Sequence, residues 1–199
     1  MPIKALYFDL GGVIVRTGDY RSRAQLAAEF GMTYDEMDKF VFGCQTAVQA
    51  TIGEITEEAH WLDVTRRLKS PESELPHIRE AFFGGDTIDW EIVRFLREQR
   101  KVRKTGLISN AWDGLRPWMM KQKFDDAFDA MTISAEFGIA KPDARIYQQA
   151  LEKLGVKPAE AVFVDDVQKN IAACEALGMH GVLFRTSEQA LADVKRLLS

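Results

Sequence analysis

The chain has 199 residues, and 26 lysines and arginines against 30 aspartates and glutamates give it a formal net charge of −4. This acidic balance argues against nucleic-acid binding, which normally shows a basic excess. Apolar residues make up 46% of the chain and charged residues 28%, the usage of an ordinary globular protein, which excludes a disordered or collagen-like chain.

The cysteines and the apolar segments bear on the cellular location. Cys44 and Cys174 lie far apart and outside any metal-ligand spacing, so neither a disulfide framework nor a zinc site is expected. No apolar stretch approaches the roughly 20 residues that a membrane-spanning helix needs, and the N-terminal apolar segment is too short for a signal peptide. We therefore expect a cytoplasmic protein without a membrane partner. The sequence leaves monomer and homodimer open.

The first predicted element is a strand at residues 3–8, a continuous apolar run typical of strands buried on both faces. The segment that follows, from about Arg16 to Gly85, carries no convincing strand and predicts a series of helices. Thr33 and Glu36 form a capping box at the start of one of them, and Thr56 is placed to cap another.

These helices favour a separate unit. We interpret residues 16–85 as a helical cap subdomain inserted after the first strand, with residues 1–15 and 86–199 forming the core domain. The plain alternative is that the same helices cover one side of the sheet.

Helices and strands alternate in the rest of the chain. Helical patterns cover residues 89–100 and 143–154, and the second is closed by Gly155. Further buried strands are predicted at residues 104–109 and 161–164, with weaker candidates at 130–134 and 181–184. This alternation predicts an α/β fold with a mainly parallel sheet that helices cover on both faces.

Polar residues end the three strong strands, at the sheet edge where ligands of such folds bind. Asp9 is followed by Gly11 and Gly12, Ser109 by Asn110, and Asp165 by Asp166. Carboxylates gathered there would repel one another unless a cation neutralised them, and hard oxygen ligands select Mg²⁺. Ser109 and Asn110, at a strand-to-helix junction, suit an anion.

Lys141 is a fourth candidate. Because Pro142 disfavours a helical conformation at the preceding residue, we place Lys141 on a loop that leads into the next helix. An ammonium group delivered to a site with carboxylates and a phosphoryl group would balance their charge. Taken singly, each of these residues is more often a helix cap, a turn former or an exposed loop residue.

Four segments, in this order, resemble the motifs of the haloacid dehalogenase superfamily of hydrolases. They are Tyr7-Phe8-Asp9-Leu10-Gly11-Gly12-Val13-Ile14, Leu107-Ile108-Ser109-Asn110, Lys141-Pro142-Asp143 with Ile146-Tyr147, and Phe163-Val164-Asp165-Asp166. The helical insert resembles the small cap of the phosphatase branch, and Gly53-Glu54-Ile55-Thr56 is similar to a marker of such caps.

The resemblance implies a Rossmann-like core and an aspartyl-phosphate mechanism. By that analogy Asp9 would attack phosphorus, and Mg²⁺ would be held by Asp9, the Gly11 carbonyl and Asp165, with Asp166 close by. Ser109 and the Asn110 backbone would bind the phosphoryl oxygens of a small phosphorylated substrate, and Lys141 would offset their charge.

One position departs from the superfamily's phosphatases. Most of them carry a second aspartate two residues after the nucleophile, where this chain has Gly11. That aspartate protonates the leaving group, a contribution worth ~10²- to 10⁴-fold in rate. The resemblance therefore favours phosphatase activity on substrates whose leaving groups need less help, such as sugar 1-phosphates and acyl phosphates.

Two other functions stay open at this point. A haloacid dehalogenase would use the same aspartate without a metal, and a catalytically weak member would bind a ligand or a partner protein. For substrate specificity no motif stands out. The candidate segments are cap loops around Arg16, Gly43 to Gln45 and Trp112-Asp113, with Arg16 and Trp112 as the candidate residues.

Overall fold

A five-stranded parallel sheet forms the centre of the molecule, for which a computed structural model describes residues 2–199. The described strands are β1 (Ala5–Phe8), β2 (Val15–Thr17), β3 (Asp86–Ile88), β4 (Lys104–Ser109), β5 (Ala130–Ile133), β6 (Ala161–Asp165) and β7 (His180–Leu183). The sheet has the order β5-β4-β1-β6-β7, and all of its neighbouring strands are parallel. The predicted α/β fold is confirmed, and so are all five predicted strands of the sheet.

Helices connect the strands, and the later ones cover the sheet. They are α1 (Arg21–Glu29), α2 (Tyr34–Phe42), α3 (Gln45–Thr51), α4 (Glu57–Arg67), α5 (Leu75–Phe83), α6 (Trp90–Arg100), α7 (Leu115–Gln122), α8 (Ser134–Phe137), α9 (Ala144–Leu154), α10 (Gln168–Ala176) and α11 (Ser187–Leu198). Apolar residues of α6, α7 and α11 pack against one face of the sheet, and those of α9 and α10 against the other.

The packing explains why β1 is continuously apolar. In β1, Leu6 and Phe8 belong to the core on the α6 side, while Ala5 and Tyr7 belong to the core on the α9 side. Because side chains alternate between the faces of a strand, both sets must be apolar when both faces are covered. Asp9 comes next in the Ala5 and Tyr7 row.

Helices α1 to α5 lie between β2 and β3 and share a hydrophobic core of their own, which includes the fully buried Trp61, Met37 and Ile78. The predicted caps are present. Thr33 and Glu36 form the reciprocal capping box of α2, and the Thr56 hydroxyl accepts a hydrogen bond from the Ala59 backbone N–H at the start of α4.

The connections to this helical unit differ from the sequence prediction. The sequence predicts no strand at Arg16–Gly18 or Gly84–Thr87, which were expected to be plain connectors, yet Val15–Thr17 and Asp86–Ile88 pair as an antiparallel two-stranded ribbon, with Arg16 opposite Thr87. The ribbon brings both ends of the helical unit together. Domain boundaries at residues 16 and 85 would cut this ribbon, and the division into core and cap stays a prediction.

No helix in the described part of the chain is both long enough and apolar enough to cross a bilayer.

Candidate active site

The register of the central strands sets two aspartates side by side. Phe8 of β1 pairs with Leu107 of β4 and with Val164 of β6, so Asp9 comes level with Ile108 and Asp165. The Asp9 backbone N–H donates to the Val164 carbonyl at 2.9 Å, which extends the pairing by one residue. Both carboxylates therefore lie at the carboxyl edge of the sheet.

Lys141 joins these two carboxylates. Its ammonium Nζ lies 2.8 Å from Asp9 Oδ2 and 2.7 Å from Asp165 Oδ2, and it donates to the Ile108 carbonyl at 3.0 Å. The three donors of the ammonium group are thus matched by three acceptors, and the Lys141 side chain is 1% exposed. As predicted, Lys141 lies on a loop before a helix, because α9 starts three residues later at Ala144.

Asp165 is held by more than the lysine. Its Oδ1 accepts hydrogen bonds from the Val167 backbone N–H at 2.8 Å and from Asn170 Nδ2 at 3.0 Å, and Asn170 Nδ2 also reaches Oδ2 at 3.1 Å. Asn170 is itself buried in α10. The sequence analysis missed Asn170, and the available signal was a polar residue beside the apolar Ile171 on the first turn of α10.

Asp166 completes a group of three carboxylates. Asp9, Asp165 and Asp166 each offer a carboxylate oxygen, and these oxygens all lie within 4.8 Å of one another. Asp166 packs over Gly12, where a Cβ would come within 2.1 Å of Asp166 Oδ2. Gly12 also has a φ of +78°, so it satisfies both a left-handed backbone and a close approach.

Burial and charge raise the pKa values of two of these acids. Burial lifts the pKa of Asp9 from 3.8 to about 6, with the negative charge of Asp165 adding to the rise, although Lys141 opposes it. Burial and the charge of Asp165 also raise the pKa of Asp166. Negative charge is therefore crowded at this edge beyond what one ammonium group offsets. Three hard oxygen donors so arranged fit a divalent cation of the Mg²⁺ type.

The raised pKa of Asp9 makes a prediction about stability without metal. Because the folded-state pKa exceeds the unfolded value of 3.8, ionising Asp9 opposes folding, and this penalty develops between pH 4 and about 6. Relative to Asp9→Asn, the wild-type chain should lose roughly 2 to 3 kcal/mol of unfolding free energy across that interval. Urea unfolding in EDTA from pH 4 to 7 measures the difference, and parallel pH curves for the two proteins would contradict it.

Ser109 and Asn110 follow the same edge. Ser109 is the last residue of β4 and is 3% exposed, beside the Asp9 strand. The sequence analysis placed both residues at a strand-to-helix junction. Helix α7 starts only at Leu115, so a loop separates them from the first turn of that helix. The side-chain amide of Asn110 binds the backbone of Lys141, donating to its carbonyl and accepting from its N–H.

The two specificity candidates have other partners. Arg16 forms an ion pair with Asp89 at 2.6 Å, and its guanidinium lies 5.1 Å from the centre of the Phe184 ring. Trp112 belongs to the core of the α1–α5 unit, where its indole N–H donates to the Ala47 carbonyl. A role for either residue in substrate choice stays a prediction.

Comparison with known proteins agrees with this geometry. A family model described as haloacid dehalogenase-like hydrolase matches residues 3–178, which include every residue of the site. The chain belongs to this family. The predicted Rossmann-like core is the fold of its members, and the resemblance of the four motifs is thereby confirmed.

Three relatives with known names or structures carry information about activity. The chain is 27% identical to bifunctional epoxide hydrolase 2 of Sus scrofa, over 99% of its own length and 39% of that protein. It is 30% identical to glyceraldehyde 3-phosphate phosphatase of Pyrococcus furiosus, over 50% of this chain and 42% of the relative. The chain thus spans about two fifths of each of these curated relatives.

The third relative is a haloacid dehalogenase family enzyme from Bacteroides thetaiotaomicron, for which a crystal structure is known. It is an aspartate-to-alanine variant in complex with magnesium and inorganic phosphate, 25% identical to this chain, with a TM-score of 0.76 over 93% of this chain and 95% of that one.

Proposed function

We propose that the protein is a Mg²⁺-dependent phosphatase that hydrolyses a small phosphorylated metabolite, sugar phosphates being the first class to test. The observation that carries this proposal is the meeting of Asp9, Lys141, Asp165 and Asp166 at the carboxyl edge of the sheet, where three carboxylates gather and one ammonium group contacts two of them. The phosphatase among its relatives and the magnesium and phosphate in a related structure support it.

In this proposal Asp9 is the nucleophile. A carboxylate oxygen of Asp9 attacks phosphorus, the bond from phosphorus to the leaving-group oxygen breaks, and the phosphoryl group is carried on Asp9. Lys141, which already contacts Asp9, offsets the negative charge that the phosphoryl oxygens bring. Ser109 and the Asn110 backbone, at the end of the neighbouring strand β4, donate to those oxygens. Water then attacks the phosphorus, which releases phosphate and restores the carboxylate.

Asp9, the Gly11 carbonyl, Asp165 and Asp166 are the residues that would hold the metal. Mg²⁺ at this position supplies positive charge to the phosphoryl oxygens and relieves repulsion between the carboxylates. Asp165 is oriented for this task by Asn170 and Val167, which hold its oxygens from the protein side.

Gly11 limits the substrates. No side chain at this position can protonate a leaving alkoxide, and hydrolysis of simple alkyl phosphates should be slow as a result. The leaving groups of sugar 1-phosphates, acyl phosphates and activated aryl phosphates depart more readily. The proposal therefore names phosphates with good leaving groups as the substrates that turn over fastest.

The test is a panel of phosphate esters in Mg²⁺ and in EDTA, with direct titration of Mg²⁺ into metal-free protein as a second readout. Turnover that requires Mg²⁺ and falls from aryl and acyl phosphates to alkyl phosphates would support the proposal. Mg²⁺ binding without turnover on any ester would overturn the activity and favour a binding role. Halide release from haloacids in EDTA would instead indicate a dehalogenase.

Replacement of Gly12 tests the place of Asp166 in the metal site. In Gly12→Ala the new methyl group would meet all three atoms of the Asp166 carboxylate group within 2.9 Å, so this side chain must swing away. We expect Mg²⁺ affinity to fall by about 10- to 100-fold, the usual range for disturbed support of a metal site. Isothermal titration measures it.

Gly31→Ala is the matched control for this variant. Gly31 also has a positive φ, +67°, but no atom lies within 4 Å of its would-be Cβ. Both variants should lose roughly 1 to 2 kcal/mol of stability from placing alanine in a left-handed backbone conformation, while Gly31→Ala keeps its Mg²⁺ affinity. Equal Mg²⁺ affinities in the two variants would remove Asp166 from the metal site.

A further inference from the structure

Two hydrogen bonds join Asn110 to the backbone of Lys141. Asn110 Nδ2 donates to the Lys141 carbonyl at 2.9 Å, and Asn110 Oδ1 accepts from the Lys141 N–H at 2.7 Å. One side-chain amide thus satisfies both backbone polar groups of a single residue. This pairing fixes the plane and the position of the Lys141 backbone relative to the end of β4.

The other end of Lys141 is held by the same strand end. Its ammonium donates to the carbonyl of Ile108, two residues before Asn110, and contacts Asp9 and Asp165. Lys141 comes from a loop before α9, whereas the two aspartates come from β1 and β6. Since a lysine side chain has four rotatable bonds, its ammonium reaches both carboxylates reliably only if its backbone is held at a fixed distance from them.

We propose that Asn110 is a positioning residue whose side chain sets Lys141 between Asp9 and Asp165, and that it acts on the phosphoryl group through Lys141 rather than by touching it. The amide is the side chain of matching chemistry for this position, because it offers one donor and one acceptor side by side. Aspartate keeps the acceptor and loses the donor. The catalytic consequence of this inference rests on the proposed phosphatase function, but the contact itself does not.

The contact is tested without turnover by chemical labelling of lysines. A buried, fully bonded amine reacts slowly with an acylating reagent, so in the wild-type protein Lys141 should be among the slowest lysines. In Asn110→Ala we expect labelling of Lys141 to accelerate at least about fivefold, read by mass spectrometry of its peptide, while exposed lysines such as Lys101 keep their rates. Unchanged labelling of Lys141 would overturn the inference.

Thr105→Val is the matched control. Thr105 lies at the other end of β4, fully buried, and its hydroxyl donates to the Ala127 carbonyl at 2.8 Å. This variant removes a buried hydrogen bond from the same strand far from the site. It should leave Lys141 labelling unchanged, and acceleration as large as in Asn110→Ala would mean that general loosening, not loss of the contact, exposes the lysine.

The functional consequence is tested by a double-mutant cycle on the affinity for inorganic phosphate in Mg²⁺. Asn110→Ala should weaken phosphate binding about tenfold in the wild-type background, and less than about twofold when Lys141 is already replaced by methionine. A full tenfold loss in both backgrounds would mean that Asn110 contacts the anion directly, which overturns a role through Lys141. If Asn110→Ala does not fold, Asn110→Asp, which loses one of the two bonds, replaces it in the labelling experiment, where its added charge does not act on a bound anion.

The failure of the inference is distinct from failure of the proposed function. A wild-type protein that binds no phosphate and hydrolyses no ester would overturn the phosphatase, whereas accelerated labelling of Lys141 in the same preparation would still support the contact. Slow labelling in every variant, with normal phosphatase activity, would overturn the positioning role alone.

Discussion

Asp9→Asn is expected to lose at least about 10⁴-fold of the phosphatase activity, because an amide oxygen cannot replace a carboxylate as the nucleophile at phosphorus. The substitution keeps the shape of the side chain, and its Oδ1 can still accept the hydrogen bond from the Leu10 N–H. The fold should therefore stay intact. Steady-state hydrolysis of an aryl phosphate in Mg²⁺ measures the loss, with circular dichroism as the check on folding.

The same variant should gain stability near neutral pH in the absence of metal. An uncharged side chain avoids the cost of burying a carboxylate whose side chain is 11% exposed, and Lys141 keeps its contacts with Asp165 and the Ile108 carbonyl. An active site that gains stability when its nucleophile is neutralised is one in which function, rather than folding, requires the charge.

Asp19→Asn is the control for this experiment. The Asp19 side chain is 43% exposed, and its carboxylate pairs with Arg21 at the start of α1. It should keep the wild-type rate. Retained activity in Asp9→Asn, with the control unchanged, would remove Asp9 from the role of nucleophile and turn attention to Asp166.

The elements of the fold that could be predicted are those with a local sequence pattern. Strands β1, β4 and β6 are buried over all or nearly all of their length, so each is largely an apolar run, and the polar residue at its end marks the carboxyl edge. The ribbon of Val15–Thr17 and Asp86–Ile88 escaped prediction because three residues are too few to show a period. Its pairing also depends on two segments that lie at opposite ends of the helical unit.

The same distinction between local pattern and tertiary packing applies to the active site. Asp9 and Asp165 follow directly from strand ends, and a parallel sheet puts such ends together. The bonds from Asn170 to Asp165 and from Asn110 to Lys141 join a helix or a loop to another element at a distance set by tertiary packing. No local pattern encodes such distances, so the motif positions were predictable and the hydrogen bonds that support them were not.

Trp112 follows the Ser109-Asn110 motif by two residues, and its ring packs 4.5 Å from that of His60 in the helical unit. Its role in substrate choice stays a prediction. The neighbouring Asp113 carboxylate accepts from the Glu57 N–H at the start of α4, at 2.8 Å. The loop after the motif thus links the sheet edge to the helical unit.

Gly11→Asp is expected to raise turnover of alkyl phosphates by about 10²-fold or more, because it supplies the proton donor that the chain lacks beside Asp9. The backbone accepts a side chain at this position, since Gly11 does not have a positive φ and no atom lies within 4 Å of its would-be Cβ. This sets it apart from Gly12, where a Cβ would collide with Asp166.

The gain should depend on the leaving group. An alkoxide needs a proton as the bond to phosphorus breaks, whereas an activated aryl oxide departs without one, so hydrolysis of the aryl ester should change by less than about threefold. The asparagine side chain of Gly11→Asn has almost the same size as aspartate but no acidic proton, so this variant should show no gain with either ester. Equal acceleration of both esters in Gly11→Asp, or the same gain in Gly11→Asn, would mean that the side chain acts by shape or binding. A gain confined to alkyl esters would identify the missing proton donor as what restricts this site.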